Sequence, residues 1–236
     1  ADNKGFLRIG TGEFTDSMAL DRITGMSRKL IGFFAGKSNC ILELKTKSCH
    51  IENLMNIDHG GRTVMAWSLN SEIIVNREEI RAATIDERLE AASLCSSLGY
   101  HLAFHFDPII AYPGWEQGYK EVIEKLFEKI PATSIKWISL GGFRYITKLK
   151  QIGTLRFPGS AIYHHEFVEG LDAKQRYFRP LRVKLYQYIY DLIKQFSAPL
   201  TCIYFCMESD EIWKEVMGFI DNFQFQQQVP RRDNIR

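Results

Sequence analysis

The feature that most constrains this chain is an alternation: short runs rich in β-branched and aromatic residues are each followed by a longer amphipathic or irregular stretch. FLRIGTGEF leads into 17–35, CILELKT into 50–55, TVMAWSLN into 77–98 and YHLAFHFDP into 115–129. SIKWISLGG leads into a long irregular stretch and a helix over 174–195, and PLTCIYFCM into a last helix over 209–219. Strands that alternate with helices imply crossover connections, and these build a parallel sheet with helices packed outside. Six such units, without a linker between them or a repeat of fixed period, predict one open or partial α/β barrel over 1–220 and a polar tail over 221–236. With 236 residues, 45% of them hydrophobic, the chain is long enough to bury such a core. Thr84 and Glu87 have the spacing of a capping box, Ser209 opens the last helix after a strand, and Gly99 follows Leu98 as a helix-ending glycine.

Charge and cysteine content narrow the class. Thirty Lys and Arg against 28 Asp and Glu leave a net charge of +2, so a polyanionic partner must be met by a local patch. The five cysteines (Cys40, Cys49, Cys95, Cys202 and Cys206) are odd in number and form no C-x2-C, which favours a reduced, cytoplasmic chain over a disulfide framework. The apolar runs are strand-sized and ADNKGFLRIG has neither a basic nor an apolar leader region, so no membrane insertion is expected. There is no initiating Met and the apolar periodicity begins almost at once, as expected for a trimmed or partial product.

Strand parity points to a polar cleft. Side chains alternate along a strand, so in TVMAWSLN the residues Met65, Trp67 and Leu69 share one face, and Ala66, Ser68 and Asn70 the other. Glu43, Lys45 and Lys47 share a face of their strand, as do His101, His105 and Asp107 of theirs. Polar residues at the carboxyl ends of parallel strands are where α/β proteins place their sites.

One segment departs from the even charge balance. Residues 144–184 carry nine Lys and Arg (Arg144, Lys148, Lys150, Arg156, Lys174, Arg176, Arg179, Arg182 and Lys184) against three acids, with six aromatics interspersed. Cations neutralise phosphates and aromatic faces stack on unpaired bases, so the mixture suits a nucleic-acid surface. It equally suits a solvated insertion whose Tyr and Phe pack on the barrel.

Other motifs carry less. His101 and His105 lie ~13 Å apart along an extended strand, too far for one metal ion. His164 and His165 are adjacent without a third ligand, and no metal site is expected. Gly141-Gly142 resembles a phosphate-approaching turn but continues into neither G-x-G-x-x-G nor a Walker pattern, and a tight strand exit explains it as well. An acid-base role for His105, Asp107 and Glu43 in a polar cleft stays open.

Taken in order, GEFTDSMALDRIT, ELKTKSCHIENL, WSLNSEII, Thr84 to Ala92, LGYHLAFHFDPII, GWEQGY and FRYITK resemble the spore photoproduct lyase family of radical S-adenosylmethionine (SAM) enzymes, downstream of the cluster-binding loop. The resemblance runs from Gly12 to Met207 and implies a partial (β/α)6 radical SAM-type barrel lacking its first, cluster-binding unit. It implies a 4Fe-4S cluster on a C-x3-C-x2-C loop that cleaves SAM to a radical, and repair of a thymine dimer in DNA. This sequence contains no C-x3-C-x2-C, so the implied cluster has no ligands here and this chain alone is expected to be inactive. Two alternatives stand: a piece of a longer enzyme whose upstream segment binds the cluster, which the matching cleft residues favour, or a protein that has lost the chemistry.

The resemblance also assigns residues. Thr46-Lys47 and Ser68, with Asn70 nearby, match the surroundings of the SAM carboxylate, and a cation with a hydroxyl suits a carboxylate. Thr15 and Asp16 match a serine and an aspartate near the methionine amine and ribose. Glu13 stands where the lyases carry the cysteine that returns a hydrogen atom, and a carboxylate is no such donor. QRYFR, Gln175 to Arg179, matches the hairpin that enters the DNA lesion. DNA contacts are therefore expected from Arg144, Arg176 and Arg179, with Tyr177 or Phe178 near a displaced base. The competing readings are a non-catalytic nucleic-acid-binding barrel and a lyase-like radical SAM protein with another substrate.

Overall fold

The computed structural model describes residues 7–11 and 15–218. The predicted tail over 221–236 and Glu13 fall outside them. Six strands form the main sheet: β1 (Leu7–Gly10), β2 (Cys40–Thr46), β3 (Thr63–Ser68), β4 (His101–Ile109), β5 (Ile135–Gly142) and β9 (Cys202–Phe205). They lie in that order, and every neighbouring pair is parallel. Between them run α1 (Asp21–Thr24), α2 (Met26–Ala35), α3 (Glu72–Glu78), α4 (Ile85–Ser97), α5 (Trp115–Lys129), α6 (Thr147–Arg156) and α7 (Arg179–Phe196), with α8 (Asp210–Met217) after β9. The predicted alternation is thus a curled α/β half-barrel.

The curl has a direct signature. The edge strands β1 and β9 are close enough for Arg8 Nη2 to donate to the Tyr204 hydroxyl at 3.1 Å. Strand parity then separates two cores. Met65, Trp67, Leu102, Phe104 and Phe106 join the large cluster that includes helix residues such as Ile31, Leu89 and Ile189. Ile41, Val64, Ala66, Ala103, Trp137, Cys202 and Tyr204 form a second, smaller cluster inside the curl. The small face of TVMAWSLN is therefore the lumen face, as alternation predicts.

Three local expectations change. The stretch 50–55 makes only a 3-10 turn at Glu52–Leu54. The expected helix over 77–98 is two, α3 and α4, separated where Arg81 takes a left-handed φ of 63° and where the capping box of Thr84 and Glu87 starts a new helix. The helix expected from 174 begins at Arg179, because Pro180 favours a first-turn position and residues 174–177 are pairing as a strand.

The stretch after Gly142 is ordered rather than irregular. β6 (Arg144–Ile146), β8 (Lys174–Tyr177) and β7 (Phe167–Glu169) form an antiparallel sheet, with α6 between β6 and β7. Tyr145, Tyr163, Phe167 and Tyr177 close around Phe143, with centroid spacings of 4.9 to 6.3 Å. Four of the six aromatics in the basic segment therefore form the subdomain's own core. Phe157 and Phe178 remain about half exposed.

Candidate functional site

The site is built where the parallel strands end, and its lowest layer closes the lumen. Glu43 on β2 accepts from His105 on β4 at 2.7 Å and from Trp137 Nε1 on β5 at 3.2 Å, and pairs with Arg8 of β1 at 3.5 Å. Arg8 also lies over the Trp137 and Tyr204 rings, at 4.9 and 5.3 Å. Burial alone would raise the Glu43 carboxyl, but the hydrogen bond and charge of His105, the charge of Arg8 and the Trp137 N–H outweigh it and hold it at about 2. An anionic Glu43 locked among these donors joins four strands across the lumen.

A second layer lies at the strand ends. Asp107 takes Arg144 through both oxygens, at 3.0 and 3.3 Å, and Arg144 also reaches Gly142 O and Cys206 Sγ. Glu208 is nearly buried beside Arg182 at 3.4 Å and Arg176 at 3.9 Å, and it accepts from the Tyr186 hydroxyl at 3.0 Å. Gly141 makes room for this arrangement, since a Cβ there would stand 2.5 Å from the Asp107 carboxyl carbon. That close approach accounts for the glycine at 141, and a Cβ at Gly142 would stand 3.1 Å from the Tyr186 hydroxyl. Burial first, and Asp107 second, push the Cys206 thiol up to about 11, so it is held protonated.

The third group surrounds Lys47. Asp16 Oδ1 accepts from Met18 N, Ala19 N and Thr46 Oγ1 at 2.9, 2.9 and 2.6 Å, and Oδ2 accepts from Lys47 N at 2.7 Å. An aspartate taking the N–H groups two and three residues on is a turn-forming arrangement, and here it also fastens the end of β2. Lys47 Nζ then meets Glu79 at 2.8 Å, while the other Glu79 oxygen takes Arg88 at 2.6 Å. Arg88 is fully buried and also donates to Ser68 O and Ala83 O. Two cations share the Glu79 carboxylate, and the Lys47 ammonium, 35% exposed at its side chain, is where an anion can reach them.

These contacts place the sequence-predicted residues. Asp16 and Lys47 are brought together directly, Thr15 is exposed beside them, and Ser68 is buried on the lumen face of β3 opposite His105. Asn70 lies past the end of β3, where alternation no longer governs, and its amide is engaged by Pro108 O, Ser71 N and the Tyr119 hydroxyl. Arg144 and Arg176 face one another across β6 and β8, each held by acids. Tyr177 is fully buried with its hydroxyl accepting from Ala111 N, which takes its ring out of reach of a base, whereas Phe178 and Arg179 are more than half exposed and Arg179 pairs with Glu215 at 2.7 Å. Glu79 and Arg88 were not anticipated as a pair. The only signal was a lone arginine on the apolar face of α4.

Beyond Lys47 a cleft of about 1080 Å³ opens between the α3–α4 loop and α6. Glu79 and Lys47 lie at its floor; Arg77, Arg156 and Phe157 stand exposed around it, with Leu149, Ile152 and Tyr163 in its wall. His165 Nε2 donates to Ala111 O at 2.8 Å, and among the described residues no three His, Cys, Asp or Glu side chains gather as a metal site.

Comparison with known proteins identifies the lineage. Residues 6–198 match the family model described as spore photoproduct lyase. The spore photoproduct lyase of Geobacillus sp. (strain Y412MC61) is 28% identical over 178 residues, covering 75% of this chain and 50% of that protein. That of Bacillus subtilis (strain 168) is 27% identical over 187 residues, covering 78% and 53%. The chain thus spans about half the length of the curated relatives it matches. Among solved structures, a spore photoproduct lyase complexed with dinucleoside spore photoproduct superposes with a TM-score of 0.77 at 25% identity, over 86% of this chain and 62% of that one. A double mutant with bound AdoMet and the same dinucleoside gives 0.77 at 24% identity, over 86% and 61%. With the family model covering most of its length and the same half-barrel in its structure, this chain belongs to the spore photoproduct lyase family.

Proposed function

We propose that this chain is the SAM- and DNA-binding half-barrel of a photoproduct lyase-like protein. The observation that carries the reading is the partly exposed positive charge of Lys47, a cation at the end of a parallel strand sharing Glu79 with the buried Arg88. A carboxylate is the natural complement of that charge, and SAM carries one. Lys47 would hold it, Asp16 would keep the backbone of Lys47 fixed, and Thr15 and Ser68 would border the ligand. Bound SAM would supply the source of a 5′-deoxyadenosyl radical. That chemistry requires a 4Fe-4S cluster, and the described residues do not fit one, because they gather no three metal-binding side chains. No reaction step is therefore assigned to this chain.

DNA is the proposed partner of the segment over 144–184. Arg179 and Phe178 offer an exposed cation and an exposed ring at the start of α7, while Arg144, Arg176 and Tyr177 brace the small sheet from within. Calorimetric titration of SAM into wild type, Lys47→Ala and Lys47→Arg tests the cofactor reading. A charge-assisted contact is worth about 1.5–3 kcal/mol, so Lys47→Ala should bind roughly ten-fold or more weakly, with Lys47→Arg recovering part of the loss. Equal affinity in wild type and Lys47→Ala removes SAM from this site.

A further inference from the structure

Six of the nine cations of the basic segment are engaged in ion pairs within the fold: Arg144 with Asp107, Lys174 and Arg176 with Asp172, Arg179 with Glu215, Arg182 with Glu208, and Lys184 with Glu116. The other three, Lys148, Lys150 and Arg156, all lie on α6 and make no ion pair among the described residues. Arg77, across the cleft at the end of α3, makes none either.

The α6 helix is unusual in a second respect, because none of its residues is buried. Leu149, Ile152, Gly153 and Arg156, at the i, i+3, i+4 and i+7 spacing of one helix face, line the cleft. Gly153 lets that face approach closely, since a Cβ there would meet the Tyr163 ring at 2.9 Å. Phe157 follows with its ring 49% exposed in the same cleft and the Arg156 guanidinium 5.9 Å from its centroid. A groove with cations outside any ion pair on both sides, an aliphatic wall and one exposed ring has the composition that binds unpaired nucleotides, in which phosphates take the cations and bases take the apolar and aromatic faces. Its carboxylates are engaged, Glu79 by Lys47 and Arg88 and Glu78 by the Ser160 hydroxyl.

We propose that a single strand of nucleic acid runs through the cleft between α6 and the end of α3, its phosphates on Arg156 and Arg77 in the cleft and on Lys148 and Lys150, which flank the cleft-lining face of α6, and a base against Phe157. The inference rests on the nucleic-acid part of the proposed function and moves the main contact from the hairpin to α6. A duplex fits less well, because paired bases offer no free face to Phe157.

Fluorescence anisotropy with a labelled thymine-rich single strand of about twelve nucleotides, titrated over a range of salt, tests it. Each phosphate contact removed from a single strand lowers the log-log salt slope by about 0.7. The triple variant Lys148→Ala, Lys150→Ala, Arg156→Ala should therefore lose about 2 in slope. Phe157→Ala should weaken binding roughly 5- to 100-fold with the slope unchanged, as loss of one stacked base does. Arg179→Ala should change the slope least. A triple variant with the wild-type slope, or an Arg179→Ala loss larger than that of the triple variant, overturns the placement on α6 and leaves DNA binding in place. Absence of binding by the wild type to both the single strand and its duplex overturns the nucleic-acid reading itself.

Discussion

The cluster around Asp107 and Glu208 and the helix α6 are both rich in cations, yet only the first is a framework. In the cluster, Arg144, Arg176 and Arg182 each meet a carboxylate, with side chains no more than 14% exposed. On α6, Lys148, Lys150 and Arg156 meet none among the described residues and are exposed. The difference follows from what each would cost. A charge withdrawn from water must be paired, whereas a charge left in water is free to meet a ligand. A count of Lys and Arg over 144–184 therefore mixes two populations, one that holds the half-barrel mouth together and one available to a partner.

The sharpest test of the framework is Arg88. It is fully buried, shares Glu79 with Lys47 and satisfies the carbonyls of Ser68 and Ala83. Arg88→Met keeps the volume and removes every one of those bonds. Breaking a buried pair in this way costs about 3–5 kcal/mol, which in a domain of this size lowers Tm by roughly 6–20 °C. A melting temperature within about 2 °C of wild type would show that the strand-end charges are not a framework.

Glu43 supplies a test by pH. Its carboxyl is held at about 2 in the folded chain against 4.5 when unfolded, so the folded state favours the charged form. The resulting stability is fully present above pH 4.5 and is lost as pH falls toward 2, a change of about 3 kcal/mol. Other carboxylates titrate in the same window, so the informative quantity is the difference from Glu43→Gln. Urea denaturation at pH 6 and pH 3 should show the wild type losing about 2 kcal/mol more than the variant between the two, because pH 3 still lies above the folded-state value. Parallel losses would remove the lumen layer from the framework.

Two glycines compare the regions directly. A Cβ at Gly141 would press on the carboxylate that Arg144 grips, while one at Gly159, beyond α6, meets nothing within 4 Å. Gly141→Ala should cost about 1–3 kcal/mol in thermal or urea melts, as overpacking does, and Gly159→Ala should change stability by less than about 0.5 kcal/mol. Equal effects would mean that the room beside Asp107 is not needed.

Much of this was legible in sequence, and the limits have physical causes. The order of strands and helices and the lumen face of β3 follow from period-two and period-3.6 patterning, which are local. The identity of charge partners is not local: Lys47 with Glu79 and Arg144 with Asp107 are separated by 32 and 37 residues. Strand parity placed Glu43, His105 and Asp107 on the lumen face but could not tell a cleft wall from a closed ion-pair layer. For the same reason Tyr177 and Phe178, adjacent in QRYFR, read alike although one is core and the other surface. Asn70 was misread as continuing the alternation because the end of β3 at Ser68 is set by hydrogen bonding, which composition does not mark.

The smallest effect is the one that most sharpens the comparison. If α6 is free surface, replacing its cations should leave stability untouched: Lys148→Glu with Lys150→Glu removes no ion pair formed among the described residues, and no residue of the helix is buried. Surface substitutions away from special features stay within about 0.5 kcal/mol, so the urea midpoint of the double variant should match wild type. The two added acids would at the same time repel any polyanion in the cleft. A loss of stability above about 1 kcal/mol would show that α6 leans on Lys148 and Lys150, and the unpaired helix would then belong to the framework. An unchanged midpoint together with weakened nucleic-acid binding separates the two regions in one protein.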